Sequence, residues 1–151
     1  MIKYTVSALI KNDKKEFLIV KRNPDEKEHP NMWGLPALSF KPPEMPEHAL
    51  ERLGIEKLNC KIQAIAFIGA MFQRRPGYDI FLMLYEAKII EGEPNVEAKG
   101  KYAEQKWTSD PSLLLPIAKK GSACAQIYLH SLGVINESEL MFSLSPAMLY
   151  E

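Results

Sequence analysis

A chain of 151 residues, 46% of them hydrophobic and 25% charged, suits one globular domain with a sizeable core. Lys plus Arg and Asp plus Glu both number 19, a zero balance that argues against a nucleic-acid polymer or an acidic membrane surface as partner. No apolar run reaches the ~20 residues of a membrane span. Met1-Ile2-Lys3-Tyr4-Thr5 has no signal-peptide layout, and Cys60 and Cys124 have no redox or disulfide spacing, so a cytoplasmic location with reduced thiols is expected.

Tyr4 to Ile10 is β-rich, with Val6, Ala8 and Ile10 on one face, and Asn12-Asp13-Lys14 signals a turn. Phe17 to Val20 then reads as a buried strand that pairs back as a hairpin. Asn23 to Asn31 is charged and reads as an exposed loop, and Trp33 to Leu38 as a short extended segment. Glu44 to Leu53 is the first helix candidate. Pro46 suits its first turn, Glu47 favours the positive end of the helix, and Gly54 reads as its stop.

Lys61 to Phe72 reads as a strand, Gln73-Arg74-Arg75-Pro76-Gly77 as a basic turn, and Tyr78 to Ile90 as the longest strand. Glu91 to Asn95 breaks it, and Tyr102 to Thr108 is a shorter one. Gly121-Ser122 opens a helix in which Cys124, Ile127, Tyr128 and Leu132 recur at helical spacing, and Gly133 closes it. Residues 1–133 therefore read as one α/β domain. The tail, 134–151, carries Leu140, Met141, Phe142, Leu144, Met148 and Leu149, too apolar to be solvated. It is expected to pack on the domain or at a homodimer interface.

Trp33-Gly34-Leu35-Pro36, the run from Glu44 to Ile55, and Glu104 three residues before Trp107 resemble the signature of Nudix hydrolases. In that family the motif reads Gly, five residues, Glu, seven residues, then Arg-Glu-aliphatic-any-Glu-Glu-any-Gly-aliphatic. The resemblance implies an α/β/α sandwich with a mixed β-sheet and a magnesium-dependent hydrolysis of nucleoside diphosphates linked to another group.

Such chemistry needs hard oxygen ligands for Mg²⁺, which carboxylates three or four residues apart on one helical face can supply. The match is partial here. With Leu38 at the first Gly, Glu44 and Arg52 fall in place, but Leu53-Gly54-Ile55 follows at once and five residues, among them all three box glutamates, are missing. Counted back from Gly54-Ile55, Glu51 takes the first place of the Glu-Glu pair and His48 replaces the Glu after Arg. The first register has both Glu44 and Arg52 in place; the second keeps one ligand.

Two functions stay open. One is a catalytically impaired or silent relative that binds a nucleotide-like small molecule or a protein partner. The other is a magnesium-dependent pyrophosphohydrolase with a rearranged set of acids. In the second case Glu51 and Glu104 are the catalytic candidates, with Glu44 and Glu51 as metal ligands. Arg22, Arg74 and Arg75 are phosphate-binding candidates, and Trp33 and Tyr78 offer rings to stack on a base. Each also has a plain structural reading as a solvated charge or a packing residue.

Overall fold

A computed structural model describes all residues, 1–151. Its centre is β1 (Ile2–Ile10), in which every residue from Thr5 onward is buried. A strand buried on both faces loses the usual alternation of polar and apolar residues, which explains the unbroken Val6-Ser7-Ala8-Leu9-Ile10 run. β2 (Phe17–Lys21) follows a tight turn tied by Asn12, whose Oδ1 accepts from the Lys14 and Glu16 amides. The expected hairpin does not continue beyond that turn. Only Lys11 and Phe17 bridge, and the two strands then enter different sheets.

The larger sheet is mixed and runs β4-β1-β6-β5, built from β4 (Ala37–Phe40), β5 (Lys61–Arg75) and β6 (Tyr78–Glu91). β1 pairs antiparallel with β4 (Val6 opposite Leu38) and parallel with β6 (Val6 opposite Met83). The smaller antiparallel sheet runs β3-β2-β7, with β3 at Trp33–Gly34 and β7 at Glu104–Thr108. Gln73, Arg74 and Arg75 belong to β5, so the anticipated basic turn shrinks to Pro76-Gly77. Gly77 takes the positive φ of 83° that so short a connection needs.

Helices cover both faces of the larger sheet. On one side α1 (Pro46–Leu53) buries Ala49, Leu50 and Leu53 against Val6, Ala8, Ile10, Leu38 and Phe40. On the other, α2 (Leu115–Lys119) and α3 (Ala123–Ser131) pack on Leu9, Ile80, Leu82 and Leu84. α3 is buried throughout from Ala123 to Leu129, while Leu132, expected on its apolar face, is exposed. This is an α/β/α sandwich with a mixed sheet.

The segment after α3 lies on the domain. The Arg74 amide donates to the Phe142 carbonyl and the Leu144 amide to that of Arg74, each at 2.8 Å. Gln73 Nε2 donates to the carbonyls of Gly121 and Met141, and a last short helix, α4 (Pro146–Tyr150), buries Leu149. No helix is long and apolar enough to cross a membrane.

The first helix does not stop at Gly54. The glycine keeps a right-handed φ of −59°, and the chain continues as a π turn, Gly54–Leu58. It ends at Asn59, which adopts the left-handed conformation (φ 58°) and donates its amide to the Gly54 carbonyl. Asn tolerates that conformation better than most residues other than Gly. Gly54 serves packing instead: a Cβ there would lie 2.7 Å from the Cys60 carbonyl oxygen and 2.9 Å from Ile62 Cγ1.

Candidate functional site

A helix that runs on to Leu58 changes the register of the motif. Counting from Arg52 without a gap, Leu53 stands where the motif has its first Glu. Glu56 and Lys57 then occupy the Glu-Glu pair, and Asn59 the Gly. Nothing is deleted, which corrects both sequence registers. The left-handed Asn59 sits where the motif calls for glycine, which supports this count. One acid of three remains, one place has become an apolar core residue, and one has become a cation.

The acids nearby are engaged. Glu44 accepts both Arg52 Nε (2.7 Å) and Nη2 (3.0 Å), and also His48 Nδ1 (2.6 Å). The Arg52 guanidinium, with His48 beside it, pulls the Glu44 carboxyl down to about 2. The same guanidinium donates from Nη1 to Glu56 at 2.7 Å. Arg52 thus clasps Glu44 and Glu56 from one position. Glu51 is exposed on α1, and Glu104 is exposed on β7, 3.4 Å from Lys21 Nζ, where it borders a separate shallow cleft with Glu93 and Glu97. No three Asp, Glu, His or Cys side chains converge anywhere in the chain. Magnesium prefers several hard oxygen donors in octahedral array, and the residues present do not fit such a site.

A cavity of about 270 Å³ lies between the two sheets, beside the start of α3; the open cleft beside Glu104 is larger, about 490 Å³, but only Val96 of its lining is hydrophobic. Five cationic side chains line it, Lys3, Arg22, Lys57, Lys101 and Arg75, against two carboxylates, Glu26 and Glu28. Arg75, only 8% exposed, donates to Glu28 at 3.0 Å, and Glu28 also accepts the Tyr78 hydroxyl. Burial, then Glu28, pushes the Tyr78 phenol up to about 12. Arg22 donates from Nε to the Glu28 carbonyl at 2.7 Å and lies 3.5 Å from Glu26. Both carboxylates are therefore committed to the two arginines. Lys3, Lys57 and Lys101 have no carboxylate within ion-pair distance.

Lys57 is the most enclosed of these three. It leaves the π turn and donates to the Ala37 carbonyl at 2.7 Å, with its ammonium 5.5 Å from the centre of the Tyr102 ring. The Tyr102 hydroxyl donates to the same carbonyl at 3.2 Å. Loss of water around the ammonium, then the repulsion of Arg22, lowers the Lys57 pKa to about 8. His29, buried with its Nε2 3.0 Å from the Lys120 carbonyl, has a lowered pKa for the same primary reason.

Of the sequence candidates, the cavity gathers Arg22, Arg75 and Tyr78. Trp33 packs on the α3-side core, and Arg74 is exposed with its backbone bonded to the C-terminal segment. Glu44, Glu51 and Glu104 stay outside. Sequence reasoning passed over Lys57, Tyr102, Lys3, Lys101 and Glu28. For Lys57 the signal was there: the motif counted straight on from Arg52 reaches it.

Neither family models nor curated proteins match this chain. Solved structures do. The MutT protein from Methanosarcina mazei Go1 superposes with a TM-score of 0.68 at 17% identity, covering 88% of this chain and 94% of that one. The E. coli ORF135 protein gives 0.66 at 15%, covering 90% and 94%. A MutT Nudix hydrolase from Burkholderia pseudomallei gives 0.62 at 21%, covering 72% and 84%. Identities this low speak to the fold alone, and in that respect the geometry, the motif remnants and the superpositions agree: the chain has the Nudix fold.

Proposed function

We propose that this protein is a catalytically silent Nudix-fold binder of an anionic, nucleotide-like small molecule, held in the basic cavity between the sheets. The observation that carries the reading is Lys57. A cation stands in the box at a place where hydrolysis calls for a metal-binding carboxylate, and the one retained acid, Glu56, is bonded to Arg52. A box helix with Leu53, Glu56 and Lys57 does not offer magnesium the carboxylate face that polarises a phosphoanhydride and activates water. The cavity's surplus of cations suits a ligand bearing phosphate. At about 270 Å³ it falls just below the usual range of ligand cavities, which run from about 300 Å³ upward, and so suits a small ligand.

The test is a hydrolysis screen in excess Mg²⁺. Nucleotide sugars, ADP-ribose, dinucleoside polyphosphates and nucleoside triphosphates make up the panel, with thermal shift recorded in parallel. A ligand-dependent rise in Tm without turnover is the expected result. Magnesium-dependent release of phosphate or a mononucleotide would establish the hydrolase instead.

A further inference from the structure

The cavity lies in a chain of zero net charge, yet three of its lysines lack a carboxylate partner. They are not equivalent. Lys3 and Lys101 are exposed, and Lys3 lies over the Tyr78 ring, 5.2 Å from its centroid. Lys57 is anchored from within, its ammonium fixed by the Ala37 carbonyl and the face of Tyr102. A hydrogen bond to one carbonyl uses one of three ammonium donors. An enclosed, oriented cation with spare donors can contact a phosphate oxygen directly, and it does so with little reorganisation.

Resting on the reading of the cavity as an anion site, we infer that Lys57 takes over the charge-neutralising part of a divalent cation, so that the protein binds a diphosphate group without metal. The ligand class is a small diphosphate, free or attached to a nucleoside. Its oxygens meet Lys57 inside the cavity and Lys3 and Lys101 at the exposed edge, while Arg22 and Arg75 stay bonded to the 26–28 loop. Metal-free capture also separates binding from hydrolysis. A lone ammonium neutralises charge but holds no water for attack, so the bound anhydride survives.

Calorimetric titration of inorganic pyrophosphate and of ADP, each in EDTA and in Mg²⁺, tests this. The full-length protein is expected to bind at least one of them in EDTA, with affinity unchanged or weakened by Mg²⁺, which competes for the free ligand. Lys57→Gln is expected to weaken binding at least tenfold, Lys57→Arg to retain most of it, and Lys88→Gln, exposed on β6 and away from the cavity, to leave it unchanged. Melting curves for each variant verify folding. Binding that appears only with Mg²⁺, or that survives in EDTA undiminished in Lys57→Gln, overturns the lysine inference and leaves the cavity as a ligand site. Absence of binding to either probe in both buffers overturns the cavity reading and the inference together.

Discussion

Replacing Lys57 with Met should make the protein more stable at neutral pH while abolishing the anion binding proposed above. Methionine keeps the length of the aliphatic stem and its packing beside Tyr102 but carries no charge into the cavity. Enclosure lowers the Lys57 pKa from 10.5 to about 8. That gap corresponds to a cost of roughly 3 kcal/mol for keeping the folded-state ammonium charged at pH 7. Against it stands the bond to the Ala37 carbonyl, which as a charged hydrogen bond contributes about 1.5–3 kcal/mol. The carbonyl is not orphaned in the variant, because the Tyr102 hydroxyl still donates to it.

The net expectation is a gain of about 1 kcal/mol, or about 2–4 °C in Tm for a domain of this size. The sign with pH follows from proton counting. Between about 8 and 10.5 the unfolded chain holds a proton on Lys57 that the folded chain has released, so wild-type stability rises through that window. The advantage of Lys57→Met is therefore complete below pH 8, shrinks as pH rises through the window, and reverses before 10.5, where the wild type keeps the Ala37 bond without the cost of a charge. Urea unfolding followed by circular dichroism at pH 7 and pH 10, on wild type and variant, measures both terms. A variant less stable at pH 7, or a stability gap that does not change with pH, refutes the reasoning.

Gly54→Ala should destabilise by about 1–3 kcal/mol through overpacking against the Cys60 carbonyl and Ile62, although alanine normally favours a helix; a rise in Tm would show that β5 yields easily. Asn59→Ala should cost about 1 kcal/mol through the left-handed backbone at φ 58°, while Asn59→Gly should be tolerated, both read from denaturant midpoints. His29 is buried with a lowered pKa, so the unfolded chain takes up its proton first, and stability should fall as pH drops below about 6.5. His29→Gln should flatten that acid slope, and an unchanged slope between pH 7 and 5 would assign the loss to other groups.

Local pattern was enough to locate most elements. The β-rich stretches, Pro46 with Glu47 at the start of the box helix, and Gly121-Ser122 before α3 are all read from residues adjacent in sequence, because turn chemistry and hydrophobic periodicity are local properties. The Trp33-Gly34-Leu35-Pro36 and Glu44-to-Arg52 remnants were enough to suggest the fold. What the tertiary structure decided is the part that depends on neighbours far along the chain. Gly54 reads as a helix stop by propensity, yet it is a contact residue, because the Cys60 carbonyl and Ile62 leave no room for a Cβ. β1 and β2 read as a hairpin, yet long-range pairing with β6 and β7 draws them into separate sheets. Lys57 looks like one more surface charge in a balanced composition; only the approach of Ala37 and Tyr102 encloses it, and enclosure is what turns an ordinary lysine into the defining charge of the cavity.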